Sequence, residues 1–146
     1  PVEVVAEDSA IEKYHEEGKN MDELKRLKIL IVEDDPVGLQ FLKAVLFPYD
    51  AEIFTAENGF IAVELMKNTQ EINIILMDLR MPVMDGYEAI RQIREFNKRV
   101  FIIAQTAFAL SGDREKAINA GCNDYISKPI IKNELYGKIN FYSGKS

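Results

Sequence analysis

A chain of 146 residues, 47% hydrophobic and 29% charged, is long enough for one domain with its own core and has the makeup of an ordinary globular protein. Its net charge of −6 disfavours direct binding to nucleic acid or anionic lipid, because both reward clustered Lys and Arg. Cys122, the one cysteine, can form no internal disulfide and lacks companions for a metal site, so a small buried side chain is expected.

No apolar run approaches the length of a membrane span and no signal peptide opens the chain. That predicts a cytoplasmic segment without membrane contact, although the parent could be membrane-attached. Residues 1–26 hold eight acids against four bases and carry −4 of the total charge, which marks an acidic linker or N-terminal arm. Asn20 with Glu23 three positions on is a helix-start signal running toward Leu27. His15, the only histidine, lies in this arm. The arm is too short for the helical hairpin that carries a phosphoaccepting histidine, and Gly18 interrupts it, so His15 is expected to be solvated.

From Lys28 the pattern alternates. Lys28 to Val32 predicts a strand, Glu33-Asp34-Asp35 an acidic loop, and Pro36 the first turn of a helix in which Val37, Phe41 and Val45, with Leu42 and Leu46, recur up to Pro48. Ala51 to Thr55 reads as a second strand and Gly59 to Lys67 as a second helix, with Ile61/Leu65 and Ala62/Met66 paired. The third strand, Asn73 to Met77, is apolar throughout, as expected of a strand buried on both faces, and it stops at Asp78. Met81-Pro82 and Asp85-Gly86 then break the pattern, before a helix to about Asn97 with Ile90 and Ile93 inward. Val100 to Ala104 is a fourth strand ending in Gln105-Thr106. Leu110 to Ala120 predicts a helix closed by Gly121, Asp124 to Ser127 a fifth strand, and Ile131 to about Tyr142 a last helix after Lys128-Pro129.

Five strands alternating with five helices predict an α/β three-layer sandwich of flavodoxin-like (βα)5 type, because crossovers of this length return right-handed over a parallel sheet. Periodicity leaves the strand order open. The order 2-1-3-4-5 would set the ends of strands one and three side by side at the switch point, where open α/β sheets place ligands. Glu33 and Asp34 would then stand beside Asp78. Three carboxylates so placed repel one another and call for a cation, and hard oxygen ligands suit Mg²⁺. Lys128, at the end of strand five, supplies a second positive charge, and Thr106, at the end of strand four, a hydroxyl donor.

With these elements in this order, residues 27–142 resemble the receiver domain of two-component response regulators. The stretches that carry the resemblance are Glu33-Asp34 after strand one, Asp78 in MDLRMPVMDG, Thr106 in IIAQTAFA, Tyr125 in DYISKP, and Lys128-Pro129. IVEDDPVGLQ and GDREKAINAGCNDYISKPI are most similar to receivers of hybrid sensor histidine kinases, which would make 1–26 the end of a kinase linker and 143–146 a tail.

The resemblance implies that Asp78 is the nucleophile taking a phosphoryl group from a phosphohistidine. Glu33, Asp34, Asp78 and the backbone carbonyl of Arg80 would hold Mg²⁺, and Lys128 would pair with Asp78 and then with the phosphoryl oxygens. Thr106 would turn inward to the phosphoryl, and Tyr125 would rotate into the space it leaves. Such a chain is not an enzyme in the ordinary sense; it catalyses its own phosphorylation and dephosphorylation. The partners implied are a histidine kinase or a histidine phosphotransfer domain, chosen by the first helix around Pro36 to Lys43. The face of helix four, strand five and helix five leaves room for a homodimer. Glu33 stands where Asp is commoner. Arg80 and Phe108 flank the site mouth and are expected to modulate phosphoryl lifetime and water access.

Five other possibilities can be weighed. A stand-alone single-domain response regulator would carry the same residues. A phosphatase of haloacid dehalogenase type needs a second acid two residues after the first, where Arg80 stands. A flavin-binding flavodoxin fits poorly with an acidic loop after strand one, and a degenerate receiver would not need the complete site. Ser143-Gly144-Lys145-Ser146 echoes the end of a P-loop, but Ile139 occupies the position of its first glycine and no helix follows.

Overall fold

The computed structural model describes residues 26–69, 71–107 and 112–144. The expectations for the arm and its His15, for Phe108 and for the end of the tail lie outside these residues. Strands β1 (Lys28–Val32), β2 (Glu52–Ala56), β3 (Ile74–Asp78), β4 (Phe101–Thr106) and β5 (Asp124–Ser127) alternate with helices α1 (Pro36–Leu46), α2 (Gly59–Asn68), α3 (Gly86–Phe96), α4 (Asp113–Ala120) and α5 (Lys132–Ser143). All strands pair in parallel, in the order β2-β1-β3-β4-β5. The order left open by periodicity is thus the flavodoxin-like one.

Side-chain alternation splits the sheet into two cores. Leu30, Val32, Ile75, Met77, Ile102 and Ala104 face α2, α3 and α4, whereas Ile29, Ile31, Ile74, Leu76, Ile103 and Ile126 face α1 and α5. β3 is central and buried at every position, which is why its sequence shows an unbroken apolar run. Asp35, Asn58 and Asp85 cap α1, α2 and α3 by accepting from backbone amides of the first turn.

The element boundaries differ from expectation in small, explicable ways. α1 stops at Leu46, and Phe47–Tyr49 forms a 3-10 turn with Pro48 inside it. β2 and β3 begin and end one residue later than the apolar runs suggest, and β4 begins one residue later and reaches Thr106, because backbone pairing continues past the last apolar side chain. α4 starts at Asp113, since Gly112 at φ 84° cannot continue a right-handed helix. On α1 the stripe splits: Leu42, Val45 and Leu46 are buried, whereas Val37 is 76% exposed and Phe41 47%.

The two described ends meet at the amino edge of the sheet. Arg26 donates to the Asp50 and Ala51 carbonyls before β2, and the Tyr142 ring packs on Phe101 at the start of β4, with centroids 5.2 Å apart. A groove at this edge is lined by Arg26, Lys28, Asn73, Val100 and Tyr142. None of the described helices is long and apolar enough to cross a membrane.

Candidate functional site

The opposite, carboxyl edge gathers the acidic residues. Val32 pairs with Met77, so the next residues of the two strands, Glu33 and Asp78, emerge together. They are 5% and 4% exposed, while Asp34 points to solvent. One oxygen from each of Glu33, Asp34 and Asp78 lies within 4.8 Å of the others. Lys128 arrives from the end of β5, and its Nζ sits 3.4 Å from both Glu33 Oε1 and Asp78 Oδ2. The four residues expected to converge therefore do so.

The electrostatics follow from that crowding. Burial, then the Asp78 charge, hold the Glu33 carboxyl above its usual range despite Lys128. Burial alone would lower the Lys128 ammonium, but Asp78 and Glu33 outweigh it and keep it above the usual lysine value. One ammonium against three carboxylates leaves the cluster with excess negative charge. Its exposed side and its all-oxygen donor set fit a hard divalent cation that keeps part of its water shell.

The loop after β3 is folded tightly over the acceptor. Arg80 N–H donates to Asp78 Oδ1 at 3.3 Å, Gly86 N–H to the Leu79 carbonyl at 3.1 Å, and Gly59 N–H to the Met84 carbonyl at 3.0 Å. A Cβ at Gly86 would collide with the Asp78 carbonyl, so only glycine allows α3 to start this close. Val83, β-branched, holds a φ of 71° at the tip of the loop and leaves its side chain 82% exposed.

Thr106 ends β4 as expected and Tyr125 lies within β5 opposite Ala104, and both belong to the other face of the sheet. Thr106 Oγ1 donates to Asp113 Oδ2 at 2.5 Å, so it is turned away from Asp78. The Tyr125 hydroxyl is buried and has no hydrogen-bond partner among the described residues. The Arg80 guanidinium, expected at the site mouth, reaches Asp113 Oδ1 at 2.9 Å.

Two functional candidates escaped sequence reasoning. Asp113 is 0% exposed and also accepts from the Tyr87 hydroxyl at 2.5 Å. Burial pushes its carboxyl up, but hydrogen bonds from Thr106 and Tyr87 and the Arg80 charge prevail and hold it below the usual aspartate range. Gln105 pairs in register with Asp78, shares its face, and is 1% exposed, with both ends of its carboxamide unpartnered among the described residues. The signals for Asp113 were Gly112 before it and the Asp113/Glu115 acids of a helix first turn. The signal for Gln105 was a polar residue inside an apolar strand.

The acids and the lysine thus converge at the switch point of an open five-stranded parallel sheet, the place where such sheets bind ligands. The chain belongs to the response regulator receiver domain family, whose model matches residues 29–140. Hybrid signal transduction histidine kinase G of Dictyostelium discoideum is 40% identical over 129 residues, covering 85% of this chain. The chain spans between 4% and 14% of the length of the curated histidine kinases it matches.

Among solved structures, the receiver domain of a sensor histidine kinase from Pseudomonas aeruginosa PAO1 is 40% identical, with a TM-score of 0.76 over 83% of this chain and 100% of that one. It was determined with magnesium coordinated in its active-site cleft. The receiver domain of the Saccharomyces cerevisiae response regulator Ssk1, in complex with the histidine phosphotransfer protein Ypd1, is 35% identical, with a TM-score of 0.75 over 80% of this chain and 88% of that one.

Proposed function

We propose that this receiver accepts a phosphoryl group on Asp78 from a phosphohistidine and passes the change to its surface. The observation that carries this is the shared grip of Lys128 on Asp78 and Glu33 at 3.4 Å each. An Asp78 oxygen attacks the phosphorus, the P–N bond to the histidine breaks as the O–P bond forms, and the departing imidazole keeps the electron pair and takes up a proton from solvent. Lys128 neutralises the incoming phosphoryl oxygens, and the tight β3–α3 loop keeps the carboxylate oriented for in-line attack.

Glu33, Asp34, Asp78 and the Arg80 carbonyl would hold Mg²⁺, whose role when bound is to balance charge on the phosphoryl oxygens. The magnesium in the Pseudomonas relative and the spacing of these acids support that ligand set. Thr106 then turns toward the phosphoryl and Tyr125 takes part in the switch, while Arg80 modulates phosphoryl lifetime.

The donor is a histidine kinase or a histidine phosphotransfer domain, as supported by the complex of the yeast relative. Val37, Val83 and Ile131, exposed apolar side chains on segments that leave the acidic edge, with half-exposed Phe41 one turn further along α1, form the docking surface. The preferred setting is a hybrid sensor histidine kinase, by likeness to the Dictyostelium and plant kinases. A stand-alone regulator remains the second reading, favoured by a 14.6 kDa Leptolyngbya boryana protein that is 35% identical and matched over 94% of its length.

The test is intact mass after acetyl phosphate and Mg²⁺. A gain of about 80 Da is expected in the parent and not in Asp78→Asn. A gain that survives the substitution would place the acceptor elsewhere.

A further inference from the structure

Among the described residues, the carboxylate of Asp113 is the one buried acidic group that the acceptor chemistry does not use. It joins four elements: Thr106 at the end of β4, Tyr87 in the first turn of α3, Arg80 in the β3–α3 loop, and its own place at the start of α4. Its two oxygens are loaded unequally. Oδ1 holds Tyr87 and Arg80, whereas Oδ2 holds Thr106.

A threonine hydroxyl has a single proton to give. While Thr106 donates it to Asp113 it cannot donate it to a phosphoryl oxygen on Asp78, so the two acceptors compete for one donor. Release of Thr106 does not strand the carboxylate, because Oδ1 keeps both its partners. A replacement for Oδ2 is also at hand. Tyr125 stands on the same sheet face as Thr106, beside Ala104, and its hydroxyl is buried without a partner among the described residues. That hydroxyl feels Asp113: burial, then the Asp113 charge, raise it above the usual tyrosine value.

We propose that Asp113 is the latch of the resting state, holding Thr106 away from Asp78, and that on phosphorylation it exchanges the Thr106 hydroxyl for that of Tyr125. Asp113 is thus a positioning residue that sets how readily the domain switches. The inference rests on Asp78 being the acceptor. Hydrogen bonds to a charged acceptor bias an equilibrium roughly tenfold to a hundredfold, and that is the size of effect the latch should have.

The test uses the whole chain with Mg²⁺ and beryllofluoride, a tetrahedral stand-in for the phosphoryl group, read by calorimetry. Asp113→Asn should bind beryllofluoride roughly tenfold tighter than the parent, and should make no difference in a Thr106→Val background. Tyr125→Phe should weaken binding in the parent and not in Asp113→Asn. Equal effects of Asp113→Asn in both Thr106 backgrounds, or no tightening at all, would overturn the latch while leaving the acceptor role standing.

If the parent itself binds no beryllofluoride, the acceptor role falls and the latch with it. Should Asp113→Asn fail to fold, the Thr106 hydroxyl proton of the parent gives the answer by NMR. It should be slow to exchange at rest and change on adding beryllofluoride, and an unchanged resonance would refute the exchange.

Discussion

Lys128 is shared by two carboxylates at 3.4 Å each, so neither claims it outright. Asp113 shows the opposite arrangement, one carboxylate shared by three donors. Its folded form is held below the usual aspartate range, first against burial and then by Thr106, Tyr87 and Arg80. A depressed carboxyl contributes stability that is complete above its unfolded value of about 3.9 and is lost as pH falls through the lower folded value. Glu33 has the reverse sign: its raised carboxyl penalises folding at neutral pH, and the penalty is relieved on acidification. Urea midpoints measured across pH should therefore show a shallower acid limb for Asp113→Asn than for the parent, with the two curves converging once pH falls below the depressed folded value.

Glu33 and Asp78 were legible in the sequence because each interrupts an apolar strand at its end, where a charged side chain has few other uses, and Lys128 because it precedes Pro129 just after the fifth strand. Asp113 was not. In a run of Asp, Arg, Glu and Lys it looks like one more solvated charge, and its burial depends on Thr106 and Tyr87 arriving from elements distant in sequence.

At the scale of elements, the joints between helices and strands rest on one arginine. Arg94, near the end of α3, donates to the Gly121 carbonyl at 2.8 Å, to the Asn97 and Val100 carbonyls at 3.2 and 2.9 Å, and to Asn123 Oδ1 at 2.7 Å. It thus ties the end of α3 to the start of β4 and to the turn between α4 and β5. A Cβ on Gly121, whose φ is 125°, would lie 2.7 Å from Arg94 Cγ, so the helix stop and the arginine stem occupy the same space. Arg94→Ala takes the guanidinium from the part-buried Gly121, Asn97 and Val100 carbonyls, while Asn123 Oδ1 keeps the Ile102 N–H, and should lower unfolding free energy by about 2–4 kcal/mol in chemical denaturation. Phosphoryl acceptance by the folded protein should be unchanged.

Periodicity found the five described strands and the five α-helices between and after them, yet it could not tell which flank of α1 meets the sheet. Val37, Phe41 and Val45 share a stripe, and only the position of the helix over the sheet edge decides that the first two stay outside. The α4 start was placed too early because the Leu110 to Ala120 pattern runs across Gly112, whose φ of 84° lies outside the right-handed helical region.

For the whole molecule, unfolding scatters the acidic cluster, so a divalent ion that binds it must favour the folded chain. At one hundred times its dissociation constant Mg²⁺ should add about 2.7 kcal/mol of stability. The measured rise in Tm should vanish in a Glu33→Gln, Asp34→Asn double variant. Calcium, which tolerates looser oxygen shells, should raise Tm as well, whereas monovalent salt at matched ionic strength should not.

Arg26 and Tyr142 come together beneath the sheet, at the pole farthest from Asp78. Both leads into the domain thus leave through its base. The acidic rim around Asp78 is therefore clear of both described termini, and a tag joined at either should leave Mg²⁺ affinity unchanged.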